Sequence, residues 1–137
     1  MYCIEKRDLE RLFYPEIPKI WCLDTAILLH HGSWIWDAPI FFFYEDRYDI
    51  ISSFYVQAIP ITSFKNIDYI SSGNYYKTSE EQTILDCFKY DGIVDWQAVC
   101  DYFNIFHNRY PGRLYELAPT EEWKKQIELI VEDVYCG

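Results

Sequence analysis

The residues with the most chemical potential in this sequence do not have the spacing of common catalytic or metal-binding motifs. His30 and His31 are adjacent, so on a helix their rings point in different directions and do not readily share a metal ion. His107 is the only other histidine, and neither Cys-x-x-Cys nor His-Glu-x-x-His occurs. The segment Glu122–Lys124 matches half of a nuclease-type Glu-x-Lys pattern, but alternate residues of a helix diverge. We therefore predict no catalytic residues, no metal and no cofactor.

Asp86 is the carboxylate of greatest interest. It follows Ile84-Leu85, so we expect it to lie beside the apolar face of a helix. Two roles stay open for it. It is either a solvated helix residue or the acceptor of a hydrogen bond or ion pair, with Arg109 or Arg113 as partner. Nothing in either role requires an enzyme.

The chain is strongly acidic. Its 137 residues include 12 Lys and Arg against 22 Asp and Glu, which gives a formal net charge of −10. Binding to a nucleic-acid backbone needs clustered basic residues, and the longest basic clusters here are the doublets Lys6-Arg7 and Lys124-Lys125. We therefore expect no direct nucleic-acid binding. Two interpretations of the acidic surface stay open: it keeps the protein soluble, or it meets a basic groove on a partner protein.

Aromatic residues make up 20% of the chain, with 13 Tyr, 9 Phe and 5 Trp. A domain of this size buries only part of them, and exposed Tyr and Trp side chains often anchor protein interfaces. Trp34 and Trp36 share a face if their segment is extended. Packing of these aromatics into the chain's own core is the alternative. The predicted partner-binding residues combine four aromatics with the adjoining acidic turn: Trp34, Trp36, Tyr44, Glu45, Asp46, Tyr48 and Asp49.

The sequence gives little sign of targeting. It has no apolar run of about eighteen residues, and the segment Met1–Asp8 lacks the apolar centre of a signal peptide. We therefore expect a cytoplasmic protein without membrane contact. The five cysteines are far apart, so we expect reduced thiols that act as small apolar residues. The oligomeric state stays open.

Apolar periodicity predicts helices towards both ends of the chain and strands between them. The expected fold class is α+β, with residues 1–137 as a single domain. A small, mostly antiparallel sheet of about residues 34–78 is expected to pack against N-terminal and C-terminal helices. The predicted strands are 39–44, 54–60 (ended by Pro60), 67–70 and 75–77. The predicted helices are 4–13, a segment capped by Asp24 and ended by Gly32, 79–91, 93–106 capped by Asp95, 113–118, and one starting at 120.

The segment Thr78–Asp86 is typical of a helix start. Ser79 and Gln82 have the spacing of a capping box, in which each side chain bonds the other residue's backbone amide. Glu80 and Glu81 place negative charge in the first turn, where the helix dipole favours it. This segment therefore predicts the point at which the sheet passes into the helical last third of the chain.

Two stretches together carry a family resemblance. The order LDTAILLHHG, then strands, then YYKTSEEQTILDCFKYDGIVDWQAV resembles the C-terminal region of AbiEi-type antitoxins of type IV toxin–antitoxin (abortive infection) systems. That family typically shows the form T-S-P-E-R-T-L-L-D at the second stretch. Glu80 stands where the family often has Pro, and Gln82 where it often has Arg. The matching residues are Thr78, Ser79, Glu81, Thr83, Leu85 and Asp86, of which Thr78, Ser79, Glu81 and Asp86 are expected to act as a scaffold motif.

The resemblance covers about residues 20–105. The family's winged-helix domain, which binds its own promoter, has no counterpart in the twenty or so preceding residues, so DNA-binding repression is not implied. What the resemblance implies is a non-enzymatic antitoxin-like or inhibitory protein that antagonises a nucleotidyltransferase-type toxin. The alternative is a phage or mobile-element inhibitor, such as an anti-CRISPR, whose acidic and aromatic surface occupies a basic groove of a defence effector. An unrecognised enzyme, the third class, predicts a pocket with perturbed carboxylates or histidines.

Overall fold

A central two-residue strand, β1, organises the sheet, and the helices follow it in sequence. The computed structural model describes residues 17–31, 40–48, 56–73 and 75–132. Its strands are β1 (Ile20–Trp21), β2 (Ile40–Glu45), β3 (Val56–Ile61), β4 (Tyr69–Ser72) and β5 (Tyr75–Thr78). Its helices are α1 (Leu23–His31), α2 (Glu80–Lys89), α3 (Trp96–Arg109), α4 (Arg113–Leu117) and α5 (Glu121–Glu132), with a 3-10 turn at Phe64–Asn66.

The five strands form one mixed sheet in the order β3-β2-β1-β5-β4. β1 runs antiparallel to β2 and parallel to β5, β2 runs parallel to β3, and β4 and β5 form an antiparallel hairpin. The predicted α+β class is confirmed. The expectation of a mostly antiparallel sheet within residues 34–78 is wrong, because two of the four pairings are parallel and β1 precedes that range. Composition marks a strand, but long-range packing decides which neighbour it takes and in which direction.

Both faces of the sheet centre are covered, as the continuous apolar run of β2 predicts. On one face, Phe42 meets Trp21 edge to face, with ring centroids 5.6 Å apart. On the other face, Phe41 and Phe43 pack with Ile20 and residues that precede or begin α1. The helices enclose a further core that includes Ile27, Ile84, Phe88, Val99, Phe103, Phe106, Leu114, Ile127 and Ile130.

The start of α1 differs from the prediction. Helix α1 begins at Leu23, so Asp24 lies in its first turn rather than at the N-cap. Leu23 has a left-handed backbone with φ of +51°, and its side chain is fully buried. A left-handed non-glycine residue costs on the order of 1 kcal/mol, so the packing of Leu23 must hold this turn. Sequence patterns do not reveal such a conformation.

Several other expectations can be compared with the described segments. Asp95 does cap α3, since its Oδ1 accepts from the amides of Gln97 and Ala98. Pro60 lies inside β3 and does not end it, because β3 is an edge strand whose outer side needs no amide donor. The expected helix 4–13 and the C-terminal glycine of α1, Gly32, lie outside the described residues.

The described cysteines are of two kinds. Cys22 and Cys87 are free and buried, and burial raises the pKa of both thiols, as expected of apolar core residues. Cys100 is disulfide-bonded, so the expectation of reduced thiols is wrong at this position. Across the described segments, the helices lack the combination of length and apolar character that crossing a bilayer requires.

Candidate functional site

The junction between β5 and α2 is built by the Thr78–Asp86 segment. The hydroxyl of Ser79 accepts from the amide of Gln82 at 3.1 Å, so the predicted N-cap is confirmed. The reciprocal half of the capping box is not formed, because the amide of Ser79 donates instead to the carbonyl of Asp68 at 3.0 Å. Gln82 turns to other partners: its Oε1 accepts from the amide of Asp68 at 3.1 Å, and its Nε2 donates to Asp86. The motif therefore binds the backbone of Asp68, the residue that precedes β4, as well as its own helix.

Buried hydroxyls and a histidine complete the junction. Thr83 Oγ1 donates to the carbonyl of Ser79 at 2.7 Å and lies 2.7 Å from Thr78 Oγ1. Nε2 of His30 lies 2.8 Å from the carbonyl of Thr78 and must donate to it, because a carbonyl only accepts. The ring of His30 also stacks on Tyr102 with centroids 6.3 Å apart. His30 therefore joins α1 to the end of β5.

Asp86 lies inside the protein. Its side chain is 3% exposed, so the solvated alternative is wrong. Oδ1 accepts from Gln82 Nε2 at 2.9 Å, which confirms the role of hydrogen-bond acceptor, whereas Oδ2 has no hydrogen-bond partner among the described residues. Burial raises the pKa of Asp86 to about 7, and the contacts with Gln82 and Lys89 only partly oppose this. Gln82 stands where the resembling family often has Arg, so the side chain that meets Asp86 here is a neutral amide.

The two arginines expected near Asp86 are engaged elsewhere. Arg109 Nη1 lies 2.6 Å from Glu80 Oε1. Arg113 holds Glu81 with two parallel bonds, Nε to Oε2 at 3.0 Å and Nη2 to Oε1 at 2.6 Å. The expected ion pair of Asp86 with either arginine is therefore wrong, because the first-turn glutamates Glu80 and Glu81 bind the arginines instead. Glu81 connects α2 to α4 as part of the scaffold.

A cleft of about 380 Å³ opens beside Asp86, between the edge of the sheet and α2. Gln82, Lys89 and Tyr90 also line it, together with Pro60 of the edge strand. A carboxyl with a raised pKa beside a cleft is the feature that the enzyme alternative predicts.

The predicted partner-binding residues divide into three groups. Tyr44 is only 7% exposed and packs on Phe42, so its expected exposure is wrong. The reason is that β2 lies between β3 and β1, and both faces of the sheet are covered there. Asp46 is exposed, and Glu45 and Tyr48 are half-buried. The guanidinium of Arg47 covers the ring of Tyr48, 4.7 Å from its centroid. Trp34, Trp36 and Asp49 lie outside the described residues.

An aromatic ladder of Phe64, Tyr69 and Tyr76, which no local sequence pattern predicts, adjoins Glu45. Tyr69 and Tyr76 meet edge to face at 5.4 Å, and Phe64 contacts Tyr69 at 6.3 Å. The carboxylate of Glu45 accepts from the amide of Phe64 at 3.3 Å, which places the predicted acidic turn against this ladder. We call Glu45, Phe64, Asp68, Tyr69 and Tyr76 the acidic–aromatic surface.

The acidic–aromatic surface is accessible. Tyr69 is 40% exposed and Tyr76 49% exposed. A cleft of about 430 Å³ lies beside Tyr69, and its charged lining residues are Glu45, Asp68 and Lys65. The sequence signal for this pair is that Tyr69 and Tyr76 belong to the two strands of the β4–β5 hairpin. The pairing of Ser71 with Tyr76 places the two tyrosine rings diagonally on one face.

Comparison with known proteins gives no relative. No family model matches the chain, and no curated protein sequence matches it. The antitoxin resemblance therefore stays a prediction from the motif order.

Proposed function

We propose that this protein is a non-enzymatic, antitoxin-like inhibitory protein that antagonises a nucleotidyltransferase-type toxin by direct protein contact. The observation that carries the proposal is the acidic–aromatic surface, in which half-exposed tyrosines lie beside carboxylates on a sheet edge. This combination suits a partner whose own surface is basic. The resemblance of Thr78–Asp86 to AbiEi-type antitoxins supplies the class of partner.

The tyrosines supply contact area at low entropic cost. A Tyr side chain has an apolar ring and a polar end, and few torsions to fix on binding, so it is a common anchor of interfaces. Tyr69 and Tyr76 already hold each other edge to face at 5.4 Å. The ladder is therefore pre-organised, and binding loses little further freedom.

The charge supplies the direction of approach. The chain carries a net charge of −10, Glu45 and Asp68 line the cleft beside Tyr69, and Asp46 follows Glu45 in the sequence. An enzyme that handles nucleotides or nucleic acid presents basic groups to phosphates. An acidic inhibitor is steered to such a surface, with an association rate that falls as salt rises.

The scaffold motif holds this surface in place. Thr78 ends β5, the strand that carries Tyr76, and Ser79 follows it; both join β5 to α2 through hydrogen bonds with Thr83 and Gln82. Glu81 fixes α2 to Arg113. In this proposal, Thr78, Ser79, Glu81 and Asp86 support the binding surface without touching the partner.

A second candidate function uses the same surface. A phage or mobile-element inhibitor, such as an anti-CRISPR, would present these carboxylates to the phosphate-binding groove of a defence effector. The acidic turn at Glu45 and Asp46 favours it, because carboxylates on a firm strand end mimic the charge of a nucleic-acid backbone. The two candidates differ in the enzyme that is inhibited.

Co-expression with a nucleotidyltransferase-type toxin tests the proposal. The protein is expected to restore growth, and the double variant Tyr69→Ala/Tyr76→Ala is expected to lose most of this protection. Leu129→Ala is the matched control, since Leu129 is 49% exposed but lies on α5. Unchanged toxicity with the wild-type chain contradicts the antitoxin function, and salt-sensitive binding to a defence nuclease then supports the second candidate. If Asp86→Asn abolishes protection while the protein stays folded, the scaffold role of Asp86 is wrong.

A further inference from the structure

A second cleft lies at the helical end of the molecule, where two tryptophans face each other. Trp96, the first residue of α3, and Trp123 of α5 have ring centroids 6.2 Å apart and planes inclined by 41°. The cleft between them measures about 520 Å³, within the range of ligand-binding pockets. We call Asp91, Trp96, Thr120, Glu122 and Trp123 the tryptophan cleft.

The rings differ in packing and exposure. Trp123 packs against Phe88 with centroids 4.8 Å apart, so its ring is held by the helix core. Trp96 is 41% exposed and has one face open to the cleft side. Large exposed aromatics are unusual on a surface that has no partner, since burial of such a ring releases ordered water. This pair thus provides one fixed wall and one accessible wall.

The charge of the cleft favours a cation. Asp91 and Glu122 line it, and neither Lys nor Arg is among its described lining residues. Residues at the N-termini of α3 and α5 also line it, and a helix N-terminus carries about half a positive charge. Both are already capped, since Asp95 accepts from the amides of Gln97 and Ala98 and Thr120 accepts from the amide of Trp123 at 3.1 Å. Two full negative charges outweigh two capped half charges, so the cleft repels an anion.

We propose that the tryptophan cleft binds an arginine side chain presented by a partner protein. A guanidinium is planar and stacks on an indole face, while its N–H groups donate to carboxylates at the rim. The tilted pair Trp96 and Trp123 provides the faces, and Asp91 and Glu122 provide the acceptors. The site lies on other elements than the acidic–aromatic surface, so the inference goes beyond the proposed function and does not depend on it.

Titration of the full chain with Nα-acetyl-L-arginine amide tests this site directly. The readout is the indole N–H signals in proton–nitrogen NMR spectra, with Trp96 and Trp123 assigned through Trp96→Phe and Trp123→Phe. We expect these two signals to move together and saturably, while the signal of buried Trp21 stays in place. The citrulline analogue has the same shape without the charge and is expected to leave both signals unmoved. The lysine analogue is expected to bind more weakly, because an ammonium does not stack.

Two substitutions in the cleft and one control substitution complete the test. Glu122→Gln is expected to weaken arginine-amide binding by about fivefold, and Trp96→Ala by at least as much. Glu128→Gln is the matched control, because Glu128 is an exposed acid of the same helix that does not line the cleft. The proposal is overturned if arginine amide moves neither indole signal, if citrulline binds equally well, or if Glu122→Gln and Glu128→Gln behave alike.

Discussion

Asp24 Oδ2 accepts a hydrogen bond from the backbone amide of Asp95 at 2.9 Å, across 71 positions of sequence. Asp95 is itself the N-cap of α3, where its Oδ1 accepts from the amides of Gln97 and Ala98. Two carboxylates from distant parts of the chain therefore satisfy neighbouring amides at one helix start. The contact joins α1, which follows the central strand, to the helical layer.

The first prediction concerns this contact. Asp24→Ala is expected to lower the free energy of unfolding by about 1 kcal/mol, because it removes the carboxylate that accepts from the part-buried amide of Asp95. Asp24→Asn is expected to keep most of the stability, since its side-chain oxygen still accepts. Urea unfolding followed by circular dichroism measures both. Asp101→Ala, at an exposed site on α3, is the control; if it costs as much as Asp24→Ala, the contact is unimportant.

The second prediction concerns pH. Burial raises the pKa of Asp24 to about 6 and that of Asp86 to about 7, above the 3.8 of an exposed aspartate. Between pH 3.8 and these raised pKa values, the folded state binds more protons than the unfolded state. The contribution of the two carboxyl groups to stability therefore falls as pH rises. It is greatest below 3.8 and is fully lost above about 7. Urea unfolding at pH values across this window measures the slope.

Asp86→Asn isolates the part of this slope that belongs to Asp86. The asparagine oxygen still accepts from Gln82, but the side chain no longer ionises. We expect a flatter pH dependence and a gain at alkaline pH on the order of a few kcal/mol. A variant with the wild-type slope shows that Asp86 does not titrate in this window.

The third prediction concerns the buried hydroxyl of Thr83. Thr83→Val keeps the shape of the side chain but removes the donor to the Ser79 carbonyl and the contact with Thr78 Oγ1. We expect a loss of about 1–2 kcal/mol in the free energy of unfolding. Thermal and urea unfolding measure it. A loss close to zero indicates that water replaces the missing hydroxyl.

The fourth prediction concerns the pair of Glu81 and Arg113. Both side chains are about half exposed, so Glu81→Gln is expected to cost less than about 1 kcal/mol despite the two short bonds. Arg113 lowers the pKa of Glu81, so this small contribution is present at neutral pH and is lost as pH falls through the lowered pKa. Unfolding in low and high salt measures it, since salt screens exposed pairs. A cost that salt does not change contradicts an electrostatic origin.

The predicted partner-binding residues show how far exposure can be predicted from local sequence. The acidic turn was identified correctly as accessible at Asp46, because charged turn residues rarely lie inside a protein. The expected exposure of Tyr44 is wrong, because Tyr44 belongs to the continuous apolar run of β2, which is covered on both faces. The tyrosine ladder was missed because Tyr69 and Tyr76 belong to different strands and meet only when the hairpin register is set.

The sequence by itself determined the local structure of this protein. The cap at Ser79, the cap at Asp95, the apolar run of β2 and the amphipathic pattern of α5 each depend on residues within a few positions, and the structure has all four. The tertiary structure alone decided the order and direction of the strands, the buried place of Asp86 and the meeting of Trp96 with Trp123. Those features depend on which distant surfaces exclude water together, and no local spacing encodes that choice.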